Sequence, residues 1–199
     1  MADTILLNKQ LYRITEDELP CLITYGEGMG GSHLSVTLVA NLFLQGSKIL
    51  FLTAYPMAKE NFLQQVGPDH SKIAFVNSLS ELQEAKNTQA IILESGKEAL
   101  FLEIANSLPD LHERIILIKN IEVFSEKVFE VCLNLEKVIL SGNIDTCIAK
   151  EKISQHNFKT IVAFNQSTIS LPITVPVLEK WYGYLSNDTG SGIIAVQKK

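Results

Sequence analysis

The sequence has 199 residues, of which 46% are hydrophobic and 20% are charged, and its formal net charge is −5. This composition excludes a disordered chain and is typical of a globular protein with a substantial core. Only two of the 17 basic side chains are arginines, Arg13 and Arg114, and no basic run is longer than a pair. We therefore expect no nucleic-acid partner, because phosphate backbones are bound by clustered basic groups.

The three cysteines, Cys21, Cys132 and Cys147, show no spacing typical of a zinc site. Cys21 and Cys132 stand within apolar runs and are predicted to be buried thiols, which suits a reducing, cytoplasmic location. No signal peptide is recognisable, and no apolar stretch approaches the ~20 residues that span a bilayer. We expect no membrane span.

Short apolar runs alternate with helical stretches along most of the chain. The strands are predicted at 20–25, 48–53, 72–77, 89–94, 114–119, 137–140 and 160–164. The helices between them are predicted at 34–44, 56–66, 81–86, 96–108, 125–135 and from 144 to about 156. This βα alternation predicts a three-layer α/β fold, in which helices flank a mostly parallel sheet. With no linker or repeat in view, residues 1–199 are expected to form one domain.

After residue 165 the alternation gives way to apolar runs separated by short turns. The runs at 173–177, 180–185 and 192–197 predict strands, and the turn residues 186–192 join the last two into an antiparallel hairpin. On such a strand, Trp181 would face one side of the sheet, and Tyr182 and Tyr184 would face the other.

The glycine-rich stretch Y-G-E-G-M-G-G-S-H, residues 25–33, joins the first predicted strand to the first predicted helix. The phosphate loop of P-loop proteins has this context and reads G-x-x-x-x-G-K-[ST]. Gly26 and Gly31 keep the spacing, whereas Ser32 replaces the lysine and His33 replaces the hydroxyl residue that binds Mg²⁺. We predict a degenerate phosphate loop formed by Gly26, Gly28, Gly30, Gly31, Ser32 and His33.

The order of elements over about residues 19–197 resembles the RecA/KaiC-like branch of the P-loop ATPases. In that branch an apolar strand ends in Asp-Ser. The run Q-A-I-I-L-E-S matches it, with Glu94 as the acid that corresponds to the Walker B residue. The resemblance also implies the C-terminal hairpin and assembly side by side, so we expect a homo-oligomer or a hetero-oligomer with another protein.

A second assignment places the Walker B strand at R-I-I-L-I-K-N, residues 114–120, as in AAA+ proteins. Lys119 and Asn120 would then replace both acids, and Asn143 would be the polar sensor. Because AAA+ proteins continue into a helical lid and this chain continues into strands, we prefer the first assignment.

Several catalytic groups of the family have no counterpart in this sequence. The lysine of the first motif is missing, the strand at 48–53 leads into T-A-Y-P without an acid, and no arginine follows Arg114. These groups support phosphoryl transfer, so we predict a catalytically inactive binding, assembly or regulatory subunit. It requires no cofactor and binds ATP or ADP weakly at most. The alternatives are a divergent ATPase that recruits Lys48 or Lys97, and a nucleotide-sensing regulator that binds without hydrolysis.

Overall fold

The computed structural model describes residues 3–93, 96–165 and 167–198. Within these ranges the chain forms eleven strands and six α-helices. The strands are β1 (Thr4–Leu7), β2 (Gln10–Tyr12), β3 (Cys21–Thr24), β4 (Ile49–Thr53), β5 (Ile73–Val76), β6 (Ala90–Leu93), β7 (Ile115–Lys119), β8 (Val138–Gly142), β9 (Thr160–Ala163), β10 (Gly183–Asn187) and β11 (Gly190–Gln197). The helices are α1 (Gly31–Leu44), α2 (Pro56–Val66), α3 (Leu79–Ala85), α4 (Glu98–Ser107), α5 (Glu126–Cys132) and α6 (Lys150–Gln155).

All strands belong to one sheet, in the order β2-β1-β11-β10-β9-β3-β8-β7-β4-β6-β5. The seven strands from β9 to β5 each run parallel to their neighbours in this group. From β9 in the other direction, to β2, each strand runs antiparallel to the next. The mixed α/β fold with a mostly parallel centre and a C-terminal hairpin is thus confirmed.

The terminal strands depart most from the sequence prediction. Residues 4–12 form a hairpin whose first strand pairs with β11, so that Ile5 lies opposite Val196. The segment 173–177 is irregular, and the strand predicted from residue 180 begins at Gly183. Trp181, with a φ of 75°, and Tyr182 therefore precede the strand, and the alternation predicted for them is wrong.

The central strands are apolar because helices cover both of their faces. Helices α1 and α2 pack on one face, whereas α3, α4, α5 and α6 pack on the other. Ile5 of β1 and Ile194 of β11 join the core around α1, so the terminal strands also cover this helix. Cys21 and Cys132 are fully buried free thiols, as predicted. Among the described residues, no helix has the length and apolarity needed to cross a membrane.

The connections of the sheet reverse direction beside β3. Helix α1 carries the chain from β3 past β8 and β7 to β4, and the later connection from β8 passes β3 to reach β9 on its other side. In open α/β sheets, ligands bind at the carboxyl ends of the strands beside such a reversal. The glycine-rich stretch lies at this place.

Candidate functional site

The loop between β3 and α1 begins at Tyr25 and ends at Gly30, which caps the helix. Gly28 and Gly30 have φ angles of 70° and 95°, which strongly favour glycine. A Cβ atom added at Gly30 would lie 2.8 Å from Cε3 of Trp181, and one added at Gly31 would overlap the Tyr25 ring. The glycines at 30 and 31 are therefore explained by close packing inside the protein itself.

The backbone amides of the loop are only partly satisfied by the protein. Gly26 N donates to Asn165 Oδ1 at 3.0 Å, and Met29 N donates to Gly26 O at 3.4 Å. Within the part of the chain that the structure describes, the amides of Gly30, Gly31 and Ser32 have no acceptor. Amides at the start of a helix carry partial positive charge, so this end of α1 is compatible with an anion.

Ser32 and His33 do not reproduce the groups that they replace. Ser32 brings no charge to the loop, and the Tyr25 hydroxyl beside it accepts a hydrogen bond from Ser141 Oγ at 3.4 Å. Burial raises the pKa of Tyr25 to about 12, so its phenol remains neutral at physiological pH. His33 Nε2 lies 2.8 Å from Oδ2 of Asp3, the residue that precedes β1. This pairing opposes a role for His33 in binding an anion. An imidazole that is held by a carboxylate also makes a poor Mg²⁺ ligand.

The strand order distinguishes the two candidate Walker B strands. Glu94 lies outside the described residues, but the strand that leads to it, β6, is separated from β3 by three strands. At ~4.8 Å per strand, β6 lies roughly 19 Å from β3, whereas β7 lies roughly 10 Å from β3. The carboxyl end of β7 is therefore the one that faces the glycine loop. The strand order therefore favours residues 114–120 as the Walker B-like strand. It reverses our preference for residues 89–95.

Lys119 is the last residue of β7 and is only 3% exposed. It pairs in register with Ser141 of β8, which contacts Tyr25, so these side chains share the face that α1 covers. Lys119 Nζ donates to Asn120 Oδ1 at 3.3 Å, and no ion pair of this ammonium occurs among the described residues. Burial lowers the pKa of Lys119 to about 8, although the charge of Glu122 opposes this shift.

Glu122 is an acidic side chain that follows β7 at this edge of the sheet, and it is not among the residues predicted from the sequence. It lies in a short 3₁₀ turn, where its Oε2 accepts a hydrogen bond from Asn143 N at 3.0 Å. Asn143, predicted as a sensor, accepts a hydrogen bond from Asp145 N at 3.1 Å through its side chain and so caps a turn. Both side chains therefore have partners within the protein. Lys119, Asn120 and His33 do not assemble the oxygen ligands that Mg²⁺ requires, and no cluster of metal-binding side chains occurs among the residues that the structure describes.

Lys48 and Lys97 are not placed to replace the missing lysine. Lys48 Nζ lies 3.0 Å from Asp110 Oδ2 and 2.7 Å from Glu113 Oε2, at the amino end of the sheet. Lys97 is exposed and follows β6, which is four strand positions from β3. Lys119 is much closer to the loop than either of them.

A cavity of about 660 Å³ adjoins the glycine loop. Gly30 and His33 form one wall, the second half of α2 forms another, and Phe164 and Trp181 supply aromatic surface. The ends of β1 and β11 close it through Asp3, Val196 and Lys198. This size is typical of small-molecule sites, which occupy roughly 300–1,000 Å³.

No protein-family model and no curated protein matches this sequence. Solved structures do match. The genome packaging NTPase B204 of Sulfolobus turreted icosahedral virus 2, in complex with sulfate, has a TM-score of 0.57 and 12% identity, and the match covers 93% of this chain and 98% of B204. The AMP complex of B204 has a TM-score of 0.56 and 13% identity, with the same coverage.

EccC of Thermomonospora curvata (ATPases 2 and 3, in complex with a signal sequence peptide) has a TM-score of 0.58 and 12% identity. The match covers all of this chain and 41% of the EccC chain, so this protein spans less than half the length of that relative. At such low identity, these likenesses show the fold alone. The chain has the fold of the P-loop NTPases.

Proposed function

We propose that this protein is a P-loop-fold subunit of RecA/KaiC-like architecture, formed by one domain, which does not hydrolyse nucleotides and acts by binding. The observation that carries the proposal is Lys119. Its ammonium is buried at the carboxyl end of the strand where a Mg²⁺-binding acid would be required. A cation at this place repels Mg²⁺, and His33 is held by Asp3. With the loop lysine also absent, we infer that none of the described residues is placed to organise the charges of phosphoryl transfer.

The test of this proposal is the release of phosphate from ATP in the presence of Mg²⁺. We expect no release above that of a buffer blank. The control is Ser32→Glu, which places a negative charge in the glycine loop and repels phosphate groups. Equal residual rates in both proteins would come from a contaminating enzyme, whereas Mg²⁺-dependent hydrolysis that Ser32→Glu removes would overturn the proposal.

An assembly role is supported by an apolar groove of about 770 Å³ on the terminal strands. Val177 is 96% exposed there, and Tyr182 and Ile193 are more than 40% exposed. The groove also contains Lys9 and Glu179, so each copy would present one basic and one acidic side chain to the other. The proposed occupant is a second copy of this chain.

Light scattering of the purified protein checks this assembly. We expect a dimer or larger species whose mass falls on dilution, and a monomer for the double variant Val177→Asp, Ile193→Asp. A wild-type protein that is monomeric over a wide concentration range would contradict self-association. The control Leu79→Asp replaces an apolar side chain that is 40% exposed outside this groove, and it should not change the mass.

A second candidate function is nucleotide binding without hydrolysis, in a sensing or regulatory role. The cavity beside Gly30 favours it, because a ligand there would adjoin the amides at the start of α1, for which the described residues supply no acceptor. B204, which has the same fold, was solved with sulfate and with AMP, which supports the proposal that the loop and cavity of this chain take a nucleotide. The proposed binding does not need Mg²⁺, because the described residues form no site for it.

A further inference from the structure

Trp181 is the only tryptophan of the chain, and it lines the cavity beside the glycine loop. A Cβ atom added at Gly30 would lie 2.8 Å from Cε3 of this indole and 3.5 Å from Cζ3. These two atoms are neighbours on one edge of the six-membered ring, so Gly30 contacts the edge of the indole and leaves its faces uncovered. Because Trp181 is 57% exposed, the cavity offers an accessible aromatic surface.

The backbone of Trp181 is held in an unusual conformation. Its φ of 75° is rare for a bulky residue, and such conformations persist where the surrounding structure fixes them, often at ligand sites. The turn is closed by Tyr182 N, which donates to Glu179 O at 3.2 Å. Lys180 Nζ lies 5.3 Å from the centroid of the indole, within cation–π distance. A cation covers one face of a ring, so the opposite face is left for a ligand.

A second aromatic side chain adds apolar surface to the same cavity. Phe164, which follows β9, is only 2% exposed and is therefore fixed by its packing. Small-molecule sites are lined mainly by apolar and aromatic side chains, with a few polar groups that set the orientation. Trp181 and Phe164 are the apolar part of this lining, and Asn61 and Gln64 of α2 are polar groups of it. A planar heterocycle fits such a wall.

Cations are scarce around this cavity. Among the described residues that line it, the basic side chains are His33 and Lys198, and His33 is paired with Asp3 at 2.8 Å. Lys119 is 3% exposed and is not part of the wall. The described residues contain no metal-binding cluster, and the whole chain has a net charge of −5. The several negative charges of a di- or triphosphate therefore gain little here, whereas a planar ring gains burial and stacking.

We propose that this cavity recognises its ligand through a purine ring stacked on Trp181, and that the phosphates contribute little to affinity. The inference rests on the proposed nucleotide binding and names the part of the ligand that is recognised. Stacking of a base on an aromatic side chain raises affinity by about fivefold or more, and it tolerates different bases. The ligand class is thus a purine nucleoside, with or without phosphate.

The experiment compares adenosine, ATP and tripolyphosphate by titration calorimetry of the wild-type protein in EDTA. Adenosine carries only the ring and the ribose, and tripolyphosphate carries only the phosphates. We expect adenosine to bind within about tenfold of ATP, and tripolyphosphate to give no saturable heat. Adenosine should also quench the intrinsic tryptophan fluorescence, which comes from Trp181 alone.

Two variants test the indole itself. Trp181→Leu should bind adenosine at least about fivefold more weakly than the wild type, and Trp181→Phe should lie between the two. Both should unfold within about 2 °C of the wild type, because the side chain is largely exposed. The control is Tyr55→Leu, which removes an aromatic side chain that is 52% exposed outside this cavity and should leave adenosine affinity unchanged.

Each contrary outcome has one consequence. ATP bound more than about tenfold more tightly than adenosine, or saturable binding of tripolyphosphate, would overturn the inference and leave nucleotide binding intact. Unchanged adenosine affinity in Trp181→Leu would overturn the assignment of the ring to Trp181. No binding of ATP or adenosine would overturn the inference and the nucleotide-binding function together, whereas the absence of hydrolysis is scored separately by phosphate release.

Discussion

Replacing Lys119 by methionine is expected to stabilise the protein at pH 7 and to remove a pH dependence of its stability. Lys119 is 3% exposed, and burial lowers its pKa from 10.5 to about 8. A depression of this size corresponds to about 3 kcal/mol, since one pKa unit is worth about 1.4 kcal/mol. Methionine keeps much of the side-chain volume without the buried charge.

The sign of the pH dependence follows from proton binding. Between the folded pKa of about 8 and the unfolded value of 10.5, the unfolded chain binds more protons at Lys119 than the folded protein does. The wild type therefore gains stability as pH rises through this window, and below it the full cost of burial is present. The advantage of Lys119→Met should be largest at pH 7 and should shrink toward pH 10.

Urea denaturation at pH 7, 8.5 and 10 measures this difference. The control is Lys97→Met, which removes an exposed lysine and should change the free energy of unfolding by less than about 0.5 kcal/mol at each pH. A Lys119→Met protein that is less stable than the wild type at pH 7 would contradict the description of Lys119 as a buried ammonium that has no ion pair with any described residue.

Replacing Arg114 by methionine is expected to destabilise the protein by about 3 to 5 kcal/mol, the usual effect of breaking a buried ionic network. Arg114 is 1% exposed at the amino end of β7. Its guanidinium donates to Asp110 and to the backbone oxygens of Ile49, Lys86, Thr88 and Gln89. Removing it leaves these acceptors without their donors and disconnects β4 from the turn before β6.

Asp110 also loses a partner in this variant. Burial raises the pKa of Asp110, but hydrogen bonds from Lys48 and Arg114 outweigh burial and hold this pKa below its ordinary value. Lysine at position 114 should recover only part of the lost stability, because a single ammonium cannot donate in all the directions of a guanidinium.

Urea denaturation measures the effect, and Arg13→Met is the matched control. Arg13 is the other arginine of the chain, and since it is exposed its loss should cost less than about 0.5 kcal/mol. A cost below about 1 kcal/mol for Arg114→Met would show that water replaces the guanidinium at these acceptors.

The position of Lys119 changes the interpretation of the glycine loop. The loop retains glycines and amides that have no acceptor in the described part of the chain, but the groups that would activate a nucleotide are replaced by a buried cation and by a histidine held by Asp3. The cavity with Trp181 lies on the side of α2 and the terminal strands, and Lys119 is not part of its wall. Loss of catalysis and retention of a ligand cavity are therefore compatible in this protein.

The sequence alone was sufficient to predict the central strands and helices and the location of the glycine loop. Strands such as Ile49–Thr53 and Ile115–Lys119 are apolar without alternation, which marks strands that are buried on both faces. The turn at Gly28 and Gly30 was visible because few residues other than glycine adopt those φ angles readily. Such features are local, and a short window of sequence contains them.

Only the tertiary structure decided which strand end faces the loop. Both 89–94 and 114–119 are apolar runs that end in polar residues, and strand order depends on crossovers that no local pattern specifies. The pairing of His33 with Asp3 and the contact of Trp181 with Gly30 also depend on segments that are distant in the chain. Sequence predicted where a ligand site would form, whereas long-range packing determined the groups that it presents, because side-chain partners are set by the three-dimensional arrangement of elements and not by their order.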